Sequence, residues 1–126
     1  MTRRRRMLVG LLAIVVLLPA AHAAPPPPAA VEIEYLLSLV GSSGCEFNRN
    51  GSWYDAAQAE KHLRYKYEYL VAHDRVATAE EFIERAATKS SLSGQPYLLR
   101  CGDAKVVTFE SWLRAALARY RLSGGH

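Results

Sequence analysis

No apolar stretch in this sequence is long enough to cross a membrane. The longest, Leu8–Leu18 (LVGLLAIVVLL), has 11 residues, against the roughly 20 that a spanning helix needs, which weighs against a transmembrane anchor. Cysteine is scarce: Cys45 and Cys101 are the two present, and they form no Cys-x-x-Cys redox motif. Two cysteines with four scattered histidines do not make a zinc ligand set, and neither a metal nor a cofactor is expected. The serines have no Gly-x-Ser-x-Gly or Ser-x-x-Lys context. No isolated carboxylate pair points to glycoside hydrolysis, and repeats, heptads and low-complexity domains are absent. The sequence therefore nominates no catalytic residue.

Charge of one sign is also missing once its location is considered. The chain has 126 residues with 16 Lys+Arg and 12 Asp+Glu, a formal net charge of +4. Arg3, Arg4, Arg5 and Arg6 carry that whole excess, leaving 12 basic and 12 acidic residues elsewhere. A basic chain would ordinarily point to nucleic acid or an anionic surface. Here the excess sits in a segment with its own explanation, and nucleic acid is not an expected partner. The remainder is about one small domain long.

What is present at the start is an export signal. Met1–Met7 is a positive n-region, Leu8–Leu18 an apolar h-region, and Ala21-His22-Ala23 supplies the small residues of a cleavage site after Pro19. Cleavage between Ala23 and Ala24 is expected, with no stable membrane anchor left afterwards. No cysteine follows the site, so a lipoprotein signal does not fit. The long apolar h-region fits the general secretory route better than a twin-arginine one. The expected organisation is a signal peptide over 1–23, a stiff Pro-rich spacer over 24–30, one domain over 31–122 and a flexible tail over 123–126. The expected location is periplasmic or secreted. Two cysteines in a small exported chain read as one disulfide rather than two separate buried thiols. It would close a loop of 56 residues, worth roughly 4 kcal/mol in the chain-entropy model.

The mature part reads as α+β. Ile33, Leu36, Leu37 and Val40 give Val31–Val40 a helical stripe. Cys45–Arg49, the Asn50-Gly51 turn signal and Ser52–Tyr54 read as a hairpin. Asp55 and Gln58 form a capping-box pattern opening a helix over 56–72. Thr78 and Glu81 form a second one before Phe82, Ile83 and Ala86, with Glu81 and Arg85 spaced as an i,i+4 pair. A polar loop over 90–95 leads to a second hairpin, Tyr97–Cys101 and Ala104–Val107. Thr108 then caps a last helix with Phe109, Trp112, Leu113, Ala116, Leu117 and Tyr120 on its core face. The order is helix, hairpin, two helices, hairpin, helix. A Cys45–Cys101 bond would set the hairpins side by side, forming a small antiparallel sheet against the helices.

Four ordered segments carry a family likeness: Phe47-Asn48-Arg49-Asn50-Gly51, His62-Leu63-Arg64-Tyr65-Lys66, Thr78-Ala79-Glu80-Glu81-Phe82-Ile83 and Ser93-Gly94-Gln95-Pro96-Tyr97. Together they resemble the YfeK-like family of small exported bacterial proteins, a family of unknown function. The resemblance covers roughly residues 33–120. It implies a periplasmic location and brings no reaction, substrate or catalytic residue. The cysteines are not part of the motif.

Of the motif residues, Arg49, Asn50, His62 and Lys66 are the candidate binding residues. His62 and Lys66 are four apart and share one helical face at the edge of the apolar stripe. Arg49 lies at the tip of the hairpin just upstream. If the hairpin folds back along the helix, the three residues converge into an anion-binding patch, and an arginine fork suits carboxylate or phosphate. The competing reading is structural: Arg49 paired locally, His62 bonded to backbone, Lys66 solvated, and Asn50-Gly51 simply forming the turn. Two functions follow. One is a non-enzymatic protein that binds an envelope protein or another cell-envelope component. The other is a small enzyme or anionic small-ligand binder using Arg49, His62 and Lys66. A deep pocket at those residues would favour the second.

Overall fold

The computed structural model of the protein describes residues 8–17 and 24–125. The arginine-bearing start (1–7), the cleavage-site region (18–23) and His126 lie outside the described residues. Residues 8–17 form neither helix nor strand and are exposed, and no helix among the described residues is long and apolar enough to cross a membrane.

Helix α1 spans Pro27–Ser42. It begins four residues before the expected Val31, taking Pro27–Ala30 from the expected spacer. Prolines are well placed there: the first helical turn has no intrahelical use for their missing N–H groups, and their fixed φ suits the helix. Ile33, Leu36, Leu37 and Val40 are fully buried along its inner face. Strands β1 (Glu46–Arg49) and β2 (Ser52–Tyr54) form the first hairpin, and α2 (Ala56–Ala72) follows directly. Asp55 accepts from the Gln58 N–H at 2.8 Å, while the Gln58 side chain accepts from the Asp55 N–H at 3.2 Å, which completes the capping box. Helix α3 spans Ala79–Ala86. Thr78 caps it, but the Glu81 carboxylate reaches Ala77 N–H rather than that of Thr78, and Arg85 donates to the Arg75 carbonyl. The expected Glu81–Arg85 pair is therefore replaced by two bonds to backbone, which tie down the segment entering α3.

The second hairpin is shorter on its return side than expected. Strand β3 is Leu98–Arg100 and β4 only Val107–Thr108. After Cys101 the chain curls, with Ala104 N–H bonding the Cys101 carbonyl, so residues 104–106 lie in the connection rather than in the strand. Helix α4 spans Phe109–Leu122, capped by Thr108. Residues 123–125 are hydrogen-bonded back onto its last turn, where a free tail was expected.

The strand order is β2-β1-β3-β4, all antiparallel. The two hairpins thus join through β1 and β3, with Glu46 opposite Arg100 and Phe47 opposite Leu99. One step further along this register Cys45 faces Cys101, and the two are disulfide-bonded with Cα atoms 4.3 Å apart. That is the close spacing of a directly opposed, non-hydrogen-bonded strand pair. The sheet buries Phe47 and Leu99 against the helices, and Phe82, Ile83 and Leu113 close the core. Two arginines bracket the helices from outside. Arg64 on α2 holds Glu34 of α1 and Glu60, and Arg121 on α4 holds Glu32 of α1 and Glu80 of α3. Those bonds hold the Glu34 and Glu80 carboxyls below the usual carboxylate range.

Candidate functional site

The tip of the first hairpin determines where Arg49 goes. Asn50 and Gly51 both take left-handed backbone angles, φ 53° and 84°, as a two-residue turn between twisted strands requires. With β2 only three residues long and Asp55 capping α2 at once, the hairpin lies along the start of that helix. Arg49 packs its guanidinium over the Tyr54 ring, 5.0 Å from the centroid. From there Nη1 stands 2.8 Å from Nδ1 of His62 and 3.2 Å from Nε2. A guanidinium has only donors, so the imidazole must accept, and His62 is neutral in this arrangement. Burial, then the charges of Arg49 and Lys66, push its pKa down to about 4.

Lys66 meets the same locus from the next turn of α2. Its Nζ donates to the Tyr97 hydroxyl at 3.1 Å and lies 5.0 Å from the ring centroid. The His62 ring stands edge-on to the same tyrosine, 6.3 Å between centroids. Tyr97, the last residue of the fourth motif, is the hub that sequence reasoning passed over. Its one signal was its place after Pro96 at the mouth of a strand, the usual position of a plain core residue. Asn50 points elsewhere: its Oδ1 accepts the Ser93 hydroxyl, which fastens the hairpin tip to the loop over residues 90–95.

Arg49, His62 and Lys66 therefore converge around Tyr97, but they do not open onto one pocket. Arg49 and His62 line a cavity of about 50 Å³ whose other walls include Phe47, Tyr54, Tyr97 and Phe109. That volume holds a few water molecules. Lys66 lines a separate, open groove of about 930 Å³ between α2, α3 and the loop that follows α3. Among the described residues, no group of three His, Cys, Asp or Glu side chains is placed to hold a metal ion.

The comparisons agree with the sequence motifs. A family of unknown function, DUF5329, matches residues 27–121, from the first residue of α1 into the last turn of α4. The uncharacterized protein YfeK of Salmonella typhimurium is 37% identical over 62 residues, 49% of this chain and 50% of that protein. The match thus spans half the length of this curated relative. No solved structure matches.

Proposed function

The chain belongs to the DUF5329 family of unknown function, and we propose that it works as an exported binding protein of the cell envelope, acting by contact rather than by chemistry. The observation that carries the reading is the closed state of the Arg49–His62 pair. Nη1 of the arginine is held by an internal acceptor, and the cavity beside the pair, about 50 Å³, is far below the few hundred Å³ of an ordinary ligand site. An enzyme using these residues would need an open space for substrate against them. The disulfide supports the export half, since such bonds persist in oxidising compartments. So does the charge pattern of residues 1–23, which has the three parts of a cleavable signal.

The test is fractionation of expressing cells, with crosslinking before lysis. The protein is expected in the envelope extract, crosslinked to a recurrent component. Retention in the cytoplasm with reduced cysteines would contradict the proposal.

A further inference from the structure

The open groove beside α2 differs from the rest of the surface in two ways. The first is charge. Elsewhere on the surface Arg64, Arg100, Arg114 and Arg121 each hold a glutamate. The groove is lined by Lys66, Arg75, Arg85 and Lys89, with Glu84 the one acidic residue in its wall. None of those four cations forms an ion pair with a carboxylate among the described residues. Arg85 donates to a backbone carbonyl and Lys66 to a tyrosine hydroxyl.

The second difference is exposed apolar surface on the same face. Tyr65 and Tyr69, one helical turn apart on α2, line the groove and are 70% and 51% exposed. Its opposite wall is the loop carrying Ser90, Ser91 and Gly94, and Leu92, between them, is 93% exposed. The loop's shape is built from within. The buried Ser90 hydroxyl oxygen accepts from the Leu92 and Ser93 N–H groups, and Ser93 is bonded to Asn50. Leu92 is thus held out on an anchored turn.

Cations with free donors, tyrosines at the rim and an aliphatic side chain projecting beyond them match the chemistry of a membrane interface. Basic residues meet anionic headgroups there, and aromatic rings sit at headgroup level. An acidic peptide would use the cations alone, whereas the projecting Leu92 and the exposed Tyr65 and Tyr69 beside them add the apolar and aromatic part that a membrane interface takes up. We infer that this groove is a peripheral docking site for an anionic lipid surface. Lys66, Arg75, Arg85 and Lys89 receive the headgroup phosphate, and Leu92 with Tyr65 enters the interface. The inference rests on the envelope-binding reading and names its partner.

The experiment is co-sedimentation with phosphatidylglycerol vesicles and with phosphatidylcholine vesicles, at low and high salt. Wild type and variants are compared in the same form, so that any N-terminal contribution is common to all. Wild type is expected to bind the anionic vesicles and to release as salt screens the contact. Arg75→Gln and Lys89→Gln should each lower partition about fivefold, the effect of one basic residue near an anionic surface. Leu92→Asp should lower it further, and Arg75→Lys should restore it. All three positions are exposed, and parallel thermal unfolding checks that the variants fold. Equal binding to both lipids, or variants that bind like wild type, would overturn the inference. So would release from the vesicles by millimolar inorganic phosphate, which would mark a site for the free ion. The export reading fails by a different observation, the protein's location, so the two failures are distinguishable.

Discussion

His62 is a histidine kept neutral by its surroundings, and that makes it a pH-sensitive tie between hairpin and helix. Its pKa of about 4 lies below the ordinary 6.5, so between those values the unfolded chain binds a proton that the folded chain does not. Its contribution to stability is therefore full above about pH 6.5 and is lost as pH falls toward 4. Glu34 and Glu80, whose carboxyls are held down by Arg64 and Arg121, lose their contributions only below the usual carboxylate value of 4.5. Thermal unfolding followed from pH 7.5 to 4 should thus show a decline that His62→Leu flattens in this window. The same tie can be read directly by titrating the imidazole by NMR. Arg49→Gln removes the adjacent charge and should move the His62 pKa upward, with a loss of about 1 kcal/mol of stability for the missing hydrogen bond. An unchanged pKa would mean that Arg49 does not face the ring. The shared location of Arg49, His62 and Lys66 was legible from the short link between turn and helix. The role of Tyr97 was not, because nothing in a strand-entry tyrosine signals that two side chains from another element will converge on it. The groove cations were not legible as a set either. Arg75, Arg85 and Lys89 sit on separate segments, and only the packing of α2 against α3 places them along one wall.

At the scale of elements, local chemistry explains most boundaries. Helix α2 runs over the expected residues because Asp55 and Gln58 satisfy each other's backbone donors. Asp55→Ala should cost about 1 kcal/mol, read as a lower midpoint in urea without a change of slope. Gly51 holds φ at 84° in the turn, so Gly51→Ala forces a side chain into left-handed backbone at about 1 kcal/mol or more. That substitution should also loosen the Arg49–His62 contact, visible as a shifted imidazole resonance. Expectation and structure part where tertiary context outweighs local signals. The prolines over 25–28 read as spacer, yet Pro27 and Pro28 begin α1 because burial of Ala29 against the fold extends the helix backward. The Glu81–Arg85 pair had helical spacing, but both side chains found backbone partners at the entrance to α3. Strand β4 is short because the chain curls after Cys101 and leaves Val106 and Val107 exposed.

At the scale of the molecule, the disulfide joins what would otherwise be two separate hairpins. It lies at the end of the β1–β3 pairing and closes a loop of 56 residues. Reduction is expected to cost roughly 4 kcal/mol in the chain-entropy model, a large share of the stability of a domain this size. Cys45→Ser with Cys101→Ser should therefore lower the urea midpoint far more than any single change at the Arg49–His62 tie. The α+β order and the adjacency of the hairpins followed from periodicity, turn residues and an even cysteine count. Which strands pair, and that β1 and β3 are the inner two, did not, since nothing in a four-residue strand specifies its second neighbour.

The proposal on which the rest depends is export, with the bridge forming outside the cytoplasm. The measurement that bears on it most directly is the intact mass of the protein from the envelope fraction, denatured and alkylated without reduction. The account predicts a chain beginning at Ala24 that takes up no alkylating groups. A chain still beginning at Met1 and carrying two alkylated cysteines would contradict it.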